Sequence, residues 1–162
     1  MPRWVLLPFV LALTLLPPAF ALTSFTGLVV EVLDGDTIEV LQRGKAVRIS
    51  LNGIDCPEKG QPYGKAAKRF TSEMTLGKPV TVEVKHLEKD GLLIADVILP
   101  GGSVLNQELV GAGLAWRSQK FSKSPVLAAL EQEARKAKRG LWADPNPVAP
   151  WCWRKRQKGR AC

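Results

Sequence analysis

The chain has 162 residues and carries 23 Lys and Arg against 15 Asp and Glu, a net charge of +8. That length bounds the fold to one domain, or one domain with tails. A single His and three Cys without a CxxC pair exclude a zinc centre of the usual spacing. The cationic excess suits a polyanionic partner, and nucleic acid, anionic lipid and cell-wall polymer all qualify.

Residues 1–21, MPRWVLLPFVLALTLLPPAFA, read as a signal peptide: basic Arg3, an apolar run from Trp4 to Leu16, then Ala19-Phe20-Ala21 as a small-x-small cleavage pattern. The run falls short of the ~20 residues that span a bilayer, and an uncleaved anchor is the alternative. Cleavage would leave 22 basic against 15 acidic side chains, a net +7, on a secreted or periplasmic protein starting at Leu22. An oxidising compartment permits a disulfide. Cys152 and Cys162 are near enough to close a small loop, but the count is odd and the pairing stays open.

From Leu22 the pattern is strand-like. Turn signals at Asp34-Gly35 and Arg43-Gly44 divide it into strands near 26–33, 36–42 and 45–52. In YGKAAKRFTSEMTLG the period changes: Tyr63, Ala67, Phe70 and Met74 fall at helical spacing, and Gly77 stands at the C-terminal cap. PVTVEVK and LIADVIL give a fourth and a fifth strand. SVLNQELVGAG is a short helix with Leu105 and Leu109 on one face. SPVLAALEQEARKAKRG is a longer one, with Ser124 as cap, Pro125 at the first position and Leu127, Leu130, Ala134 and Ala137 as the buried stripe. A domain over 22–145 is then followed by a Pro-rich arm and basic tail over 146–162. Five short strands with packed helices are the makings of a small barrel of the oligonucleotide-binding type.

The chemistry sits in two short stretches, DGDT and GIDCPE, which place Asp34, Asp36, Asp55 and Glu58 close together in an otherwise basic chain. Hard divalent cations take oxygen ligands of this kind. A carboxylate within reach of a water is a candidate general base. As a bland alternative, DGDT is a hairpin turn and Glu58 an acid leading a helix. Cys56, beside acids that raise a thiol's pKa, is a small partly buried residue rather than a nucleophile.

DGDT followed by GIDCPE, then NQELVGAGLAW and GLW, resembles the staphylococcal nuclease family over nearly the whole chain from Thr26 to Trp153. The resemblance implies a five-stranded barrel with three helices, an α+β fold, and Ca²⁺-dependent hydrolysis of DNA and RNA phosphodiesters. It implies Asp36 and Asp55 as metal ligands with the carbonyl of Cys56, Asp34 as an outer acid, and Glu58 as the group that activates water. It also implies two arginines on the phosphate, and there the sequence departs: those positions hold Ser50 and Leu92. Arg48 lies on the same strand face as Ser50, nearly 7 Å away at ~3.4 Å per residue. Lys89 is the nearest cation to Leu92, and Arg117 is a third substitute. Where family members place tyrosines after GLAW to stack on a base, this chain has RSQKF.

Loss of one donor aimed at developing charge costs ~10²–10³ in rate, so two losses would leave hydrolysis impaired. Three readings follow. One is a secreted nuclease-family monomer that binds Ca²⁺ and single-stranded nucleic acid with weakened cleavage. The others are an active nuclease with a rearranged clamp, and a basic module adhering to envelope polymers. The tail, with Trp151, Trp153 and five cations from Arg154 to Arg160, suits single strands. It would equally serve as a solvated end whose tryptophans pack back.

Overall fold

A computed structural model describes residue 1 and residues 24–162, so the leader reading lies outside the described residues. Strands β1 (Ser24–Asp34), β2 (Thr37–Gln42), β3 (Lys45–Leu51), β5 (Pro79–Leu87) and β6 (Leu93–Ile98) close a barrel in the order β1-β2-β3-β6-β5. Only β3 and β6 run parallel within it. This is the five-stranded α+β barrel expected from the sequence. Two short strands that the pattern did not signal, β4 (Ile54–Asp55) and β7 (Trp116–Arg117), form a separate ladder beside it.

Alternation fills the interior. Val29, Ile38, Val40, Ile49, Val80, Val82 and Val97 point inward and are fully or almost fully buried, together with Leu105 and Leu109 of α2 (Leu105–Gly111). Asn106 on the same helix is a buried polar tether. It donates to the Asn52 carbonyl at 2.9 Å and accepts from the Val97 amide at 3.1 Å, joining β6 to the chain just ahead of β4.

The helices form where expected but bury different faces. In α1 (Gly64–Thr75), Ala67 of the helically spaced set is buried, while Phe70 and Met74 are half-buried and Thr71 and Thr75 lie inside. Their hydroxyls are satisfied, Thr71 donating to the Gly35 carbonyl at 2.5 Å and Thr75 to that of Thr71 at 2.7 Å, so neither polar group is stranded. In α3 (Pro125–Lys136), Ser124 caps as expected, accepting from the Leu127 amide at 3.3 Å. Leu127 and Ala134 are buried, but Ala137 falls at the exposed end. Glu131 takes the inward place, accepting from the Arg117 amide at 3.1 Å and pairing with Arg135 at 3.5 Å.

The C-terminal stretch is more ordered than an arm and a loose tail. Pro150–Gln157 is a helix, α4, with Pro150 in its first turn, and Cys152 is bonded to Cys162. Trp151 meets Trp116 edge-on at 5.6 Å between ring centroids. Pattern reading misses α4 because its positions after the tryptophans are all basic or polar, leaving no apolar stripe to mark a helical period.

Candidate active site

Each acid of the two motifs is placed by its own local geometry. Asp34 ends β1, and Gly35-Asp36 turn the chain into β2. A side chain at Gly35 would sit 2.7 Å from Cβ of Ala67 and 2.9 Å from Cβ of Cys56, so glycine lets this turn lie against both α1 and the β4 segment. Asp36 is held at both carboxylate oxygens: Oδ2 accepts from the Cys56 amide at 2.7 Å and Oδ1 from the Thr37 hydroxyl at 3.1 Å. Asp55 is set by β4, whose partner in register is Trp116 of β7.

Glu58 follows on a tight turn. Its amide donates to Oε1 of Gln61 at 3.0 Å, and its carbonyl accepts from the Gln61 amide at 2.9 Å. Nε2 of Gln61 in turn donates to the Val148 carbonyl at 2.6 Å, binding the Glu58 turn to the chain that leads into α4. At Gly64 an added Cβ would lie 2.2 Å from the Glu58 carbonyl oxygen, so the glycine that opens α1 permits this approach.

Asp34, Asp36, Asp55, Cys56 and Glu58 line one open cleft of about 590 Å³. Of the substitute cations, Arg48 pairs with Glu39 at 3.1 Å on the barrel wall and Lys89 is exposed in the β5–β6 turn; neither lines the cleft. Arg117 points back to the Ser122 carbonyl at 3.3 Å. Ser50 does line the cleft, and Leu92 does not.

Arg154, on the first turns of α4, is the one Lys or Arg among the described residues lining this cleft. Its Nη1 and Nη2 donate to Oδ1 and Oδ2 of Asp55 at 3.1 and 2.7 Å, and Nη1 also donates to Oε1 of Glu58. This is a forked, charge-assisted contact to one carboxylate with a second carboxylate bridged in. Hydrogen bonding to Asp55, and then to Glu58, pushes the guanidinium pKa up against the opposing effect of burial, so the group is a permanent cation. Sequence reading placed Arg154 among cations of a tail. Its role was signalled only by following Trp151 and Trp153, which anchor the helix.

Burial pushes the Asp36 carboxyl up to about 6, opposed by the Cys56 amide and reinforced by Asp55 and Asp34. Burial first, and then the neighbouring acids Asp36, Asp55 and Asp34, raise the Cys56 thiol well above its ordinary value. It is free and buried, more deeply than the partly buried residue expected from the sequence, and a raised thiol pKa goes with the unreactive role expected there.

The family described as "Staphylococcal nuclease homologue" matches residues 48–144. The chain belongs to the staphylococcal nuclease family. It is 47% identical over 131 residues to an "Uncharacterized endonuclease" of Escherichia coli O157:H7, covering 81% of this chain and 86% of that protein. To the "Micrococcal nuclease" of Shigella flexneri it is 38% identical over 152 residues, covering 87% and 86%. To the "Staphylococcal-like nuclease CAN1" of Arabidopsis thaliana it is 39% identical over 115 residues, which is 71% of this chain and 35% of that longer protein. A nuclease-type function directed at nucleic acid goes with this family.

Among the described residues no three His, Cys, Asp or Glu side chains converge into a metal cage. The donors nevertheless suit the Ca²⁺ generally used by staphylococcal nucleases. The carboxylates of Asp36 and Asp55 offer oxygens of the kind a hard cation takes, and a catalytic ion needs an open shell that water and phosphate complete. The carboxyl of Asp36, raised by burial and by its acidic neighbours, marks a negative charge that a cation would relieve. Asp36, Asp55 and the Cys56 carbonyl would hold the ion.

Proposed function

We propose that this protein is a Ca²⁺-dependent nuclease that hydrolyses phosphodiesters of single-stranded nucleic acid outside the cytoplasm. One observation carries the reading: two candidate metal acids, a candidate base and a cation lie in one open cleft of a basic protein. Bound there, Ca²⁺ would neutralise phosphate charge and orient water. Glu58 takes a proton from the attacking water as its oxygen forms the new bond to phosphorus. The opposite P–O ester bond breaks, and its oxygen leaves protonated by solvent. Glu58 suits this task because its turn is fixed by Gln61 while its side chain remains about one-third exposed.

The single-stranded preference rests on Phe121, which lines the cleft at 72% exposure with the Lys120 ammonium 5.0 Å from its ring. An exposed ring beside a cation offers a stacking face to an unpaired base. The leader pattern and the Cys152–Cys162 bond support export to an oxidising compartment.

A second reading, of weakened hydrolysis, is favoured by Ser50 and Leu92 at the family's arginine positions. Incubation of the protein with single-stranded DNA and RNA, in Ca²⁺ or in chelator, with cleavage and binding both measured, separates these two readings from the envelope module. Cleavage in Ca²⁺ that stops in chelator supports the nuclease. Retained binding without cleavage selects the weakened form, and loss of both selects the envelope module.

A further inference from the structure

We propose that Arg154 is the phosphate-gripping residue of this cleft, supplied by the C-terminal helix in place of the two arginines that the barrel lacks. The proposal rests on the nuclease reading for its reaction and on Arg154's own geometry for its site. A water activated by Glu58 and a phosphate brought to the Asp55 side must meet in the span between those two carboxylates. Arg154 already bridges that span, with Nη1 donating to both acids and Nη2 to Asp55. A phosphate entering there presents its oxygens within hydrogen-bond reach of the same fork. Planar, bidentate donors suit phosphate as well as they suit carboxylate, so one partner can exchange for the other without moving the helix.

The mounting fits this use. Trp151 sits edge-on to Trp116, and Trp153 lines a small pocket with Tyr63, Pro57 and Val148. The Cys152–Cys162 bond then folds the end of the chain back onto α4. Gln61 ties the Glu58 turn to Val148, two residues before α4 begins, so base and cation share one brace. The Arg154 side chain remains 46% exposed, and it borders both the cleft and a second groove lined by Lys59 and Lys158. A strand of phosphates tracking that groove would pass the guanidinium on its way to the acids. The opposite interpretation is a plug, in which the same contacts merely silence Asp55 and Glu58. The two interpretations predict opposite signs.

The experiment compares the intact protein with Arg154→Ala and Arg154→Lys in three measurements. These are Ca²⁺-dependent cleavage of a single-stranded oligothymidylate, Ca²⁺ affinity by calorimetry, and affinity in Ca²⁺ for the phosphorothioate-linked oligothymidylate, which resists cleavage. For Arg154→Ala we expect kcat to fall ~10²–10³-fold with a smaller change in KM, because the contact strengthens as charge develops on the phosphate. Arg154→Lys should recover only part of the loss, being a point charge without the fork. Ca²⁺ should bind as tightly or more tightly once Asp55 is released, whereas a misfolded variant would lose the metal as well. Cleavage by Arg154→Ala at or above the unsubstituted rate would overturn the proposal and establish the plug. If the unsubstituted protein cleaves nothing in Ca²⁺, the nuclease reading fails by itself. The resistant oligonucleotide then decides: at least a tenfold weaker hold by Arg154→Ala supports the grip, and unchanged affinity rejects it.

Discussion

The acidic and cationic sides of the cleft are mounted in different ways. The acids hang from barrel turns within a span running from Asp34 to Glu58, fixed by short-range devices: the Gly35 turn, the Cys56 amide on Asp36, and the Gln61 clasp on Glu58. The cation reaches Asp55 from 99 residues further along the chain, on a helix held by aromatic contacts and by the Gln61–Val148 hydrogen bond just ahead of it. A barrel can therefore keep its acids while the opposing charge is delivered by a separately anchored element. Substitution at the barrel's arginine positions does not by itself decide whether the site works.

The largest effect should come from the acidic side. Glu58→Gln removes the base while keeping shape, and Ca²⁺-dependent kcat should drop ~10²–10⁴-fold in a steady-state cleavage assay. A residual rate within a few-fold of the unsubstituted enzyme would mean that another group takes the proton. Asp36→Ala and Asp55→Ala should each abolish the rise in melting temperature that excess Ca²⁺ gives by linkage, a readout independent of turnover.

The cationic side is probed by moving the charge back to the barrel. In an Arg154→Ala background, Ser50→Arg should restore cleavage by ~10-fold or more, since Ser50 lines the cleft. Leu92→Arg should restore less, because Leu92 lies outside that lining. Equal rescue by both would show that the β5–β6 turn closes over the substrate. Failure of both would mean that position on the barrel no longer suffices.

The same division explains what was legible in the sequence. Asp34, Asp36, Asp55, Cys56 and Glu58 line one cleft because they sit on a hairpin turn and a strand end whose alternation and glycines are local signals. The five barrel strands were legible for the same reason. The two-residue strands β4 and β7 were not, since two residues carry no period. Glu131 was missed because a buried acid looks like any helical surface acid until its partner, the Arg117 amide, is known. Arg154 was missed for a similar reason: five cations in nine residues look interchangeable, and only the packing of Trp151 and Trp153 singles one out.

If Arg154 is singled out, the other cations of the segment should act only through charge. Arg156→Gln and Lys158→Gln change exposed residues, Lys158 in the groove that Arg154 borders. Each phosphate contact removed should flatten the log–log salt dependence of single-stranded DNA binding by ~0.7 while leaving kcat near the unsubstituted value. A slope unchanged by both substitutions would place the strand's path elsewhere than along α4.

The smallest effect concerns what the acidic side costs the fold when no cation is present. Asp36 is half-buried, has Asp55 and Asp34 nearby, and has its carboxyl raised from 3.8 to about 6, chiefly by loss of solvent. A carboxyl whose folded value lies above its unfolded one favours the fold when protonated. That contribution is complete below pH 3.8 and is lost as pH rises through about 6. Above pH 6 the ionised group therefore works against folding, by ~3 kcal/mol for a shift of this size. In chelator at pH 7.5, Asp36→Asn should raise the melting temperature by several degrees, at ~2–4 °C per kcal/mol, because the amide still accepts from the Cys56 amide without carrying charge. At pH 4 the advantage should vanish. With excess Ca²⁺ at pH 7.5 the order should reverse, since the substituted protein has lost a ligand that the ion would use. A substitution that destabilises equally in chelator at both pH values would mean that the Thr37 and Cys56 hydrogen bonds already offset the charge at Asp36, leaving a carboxylate that the fold tolerates without its metal.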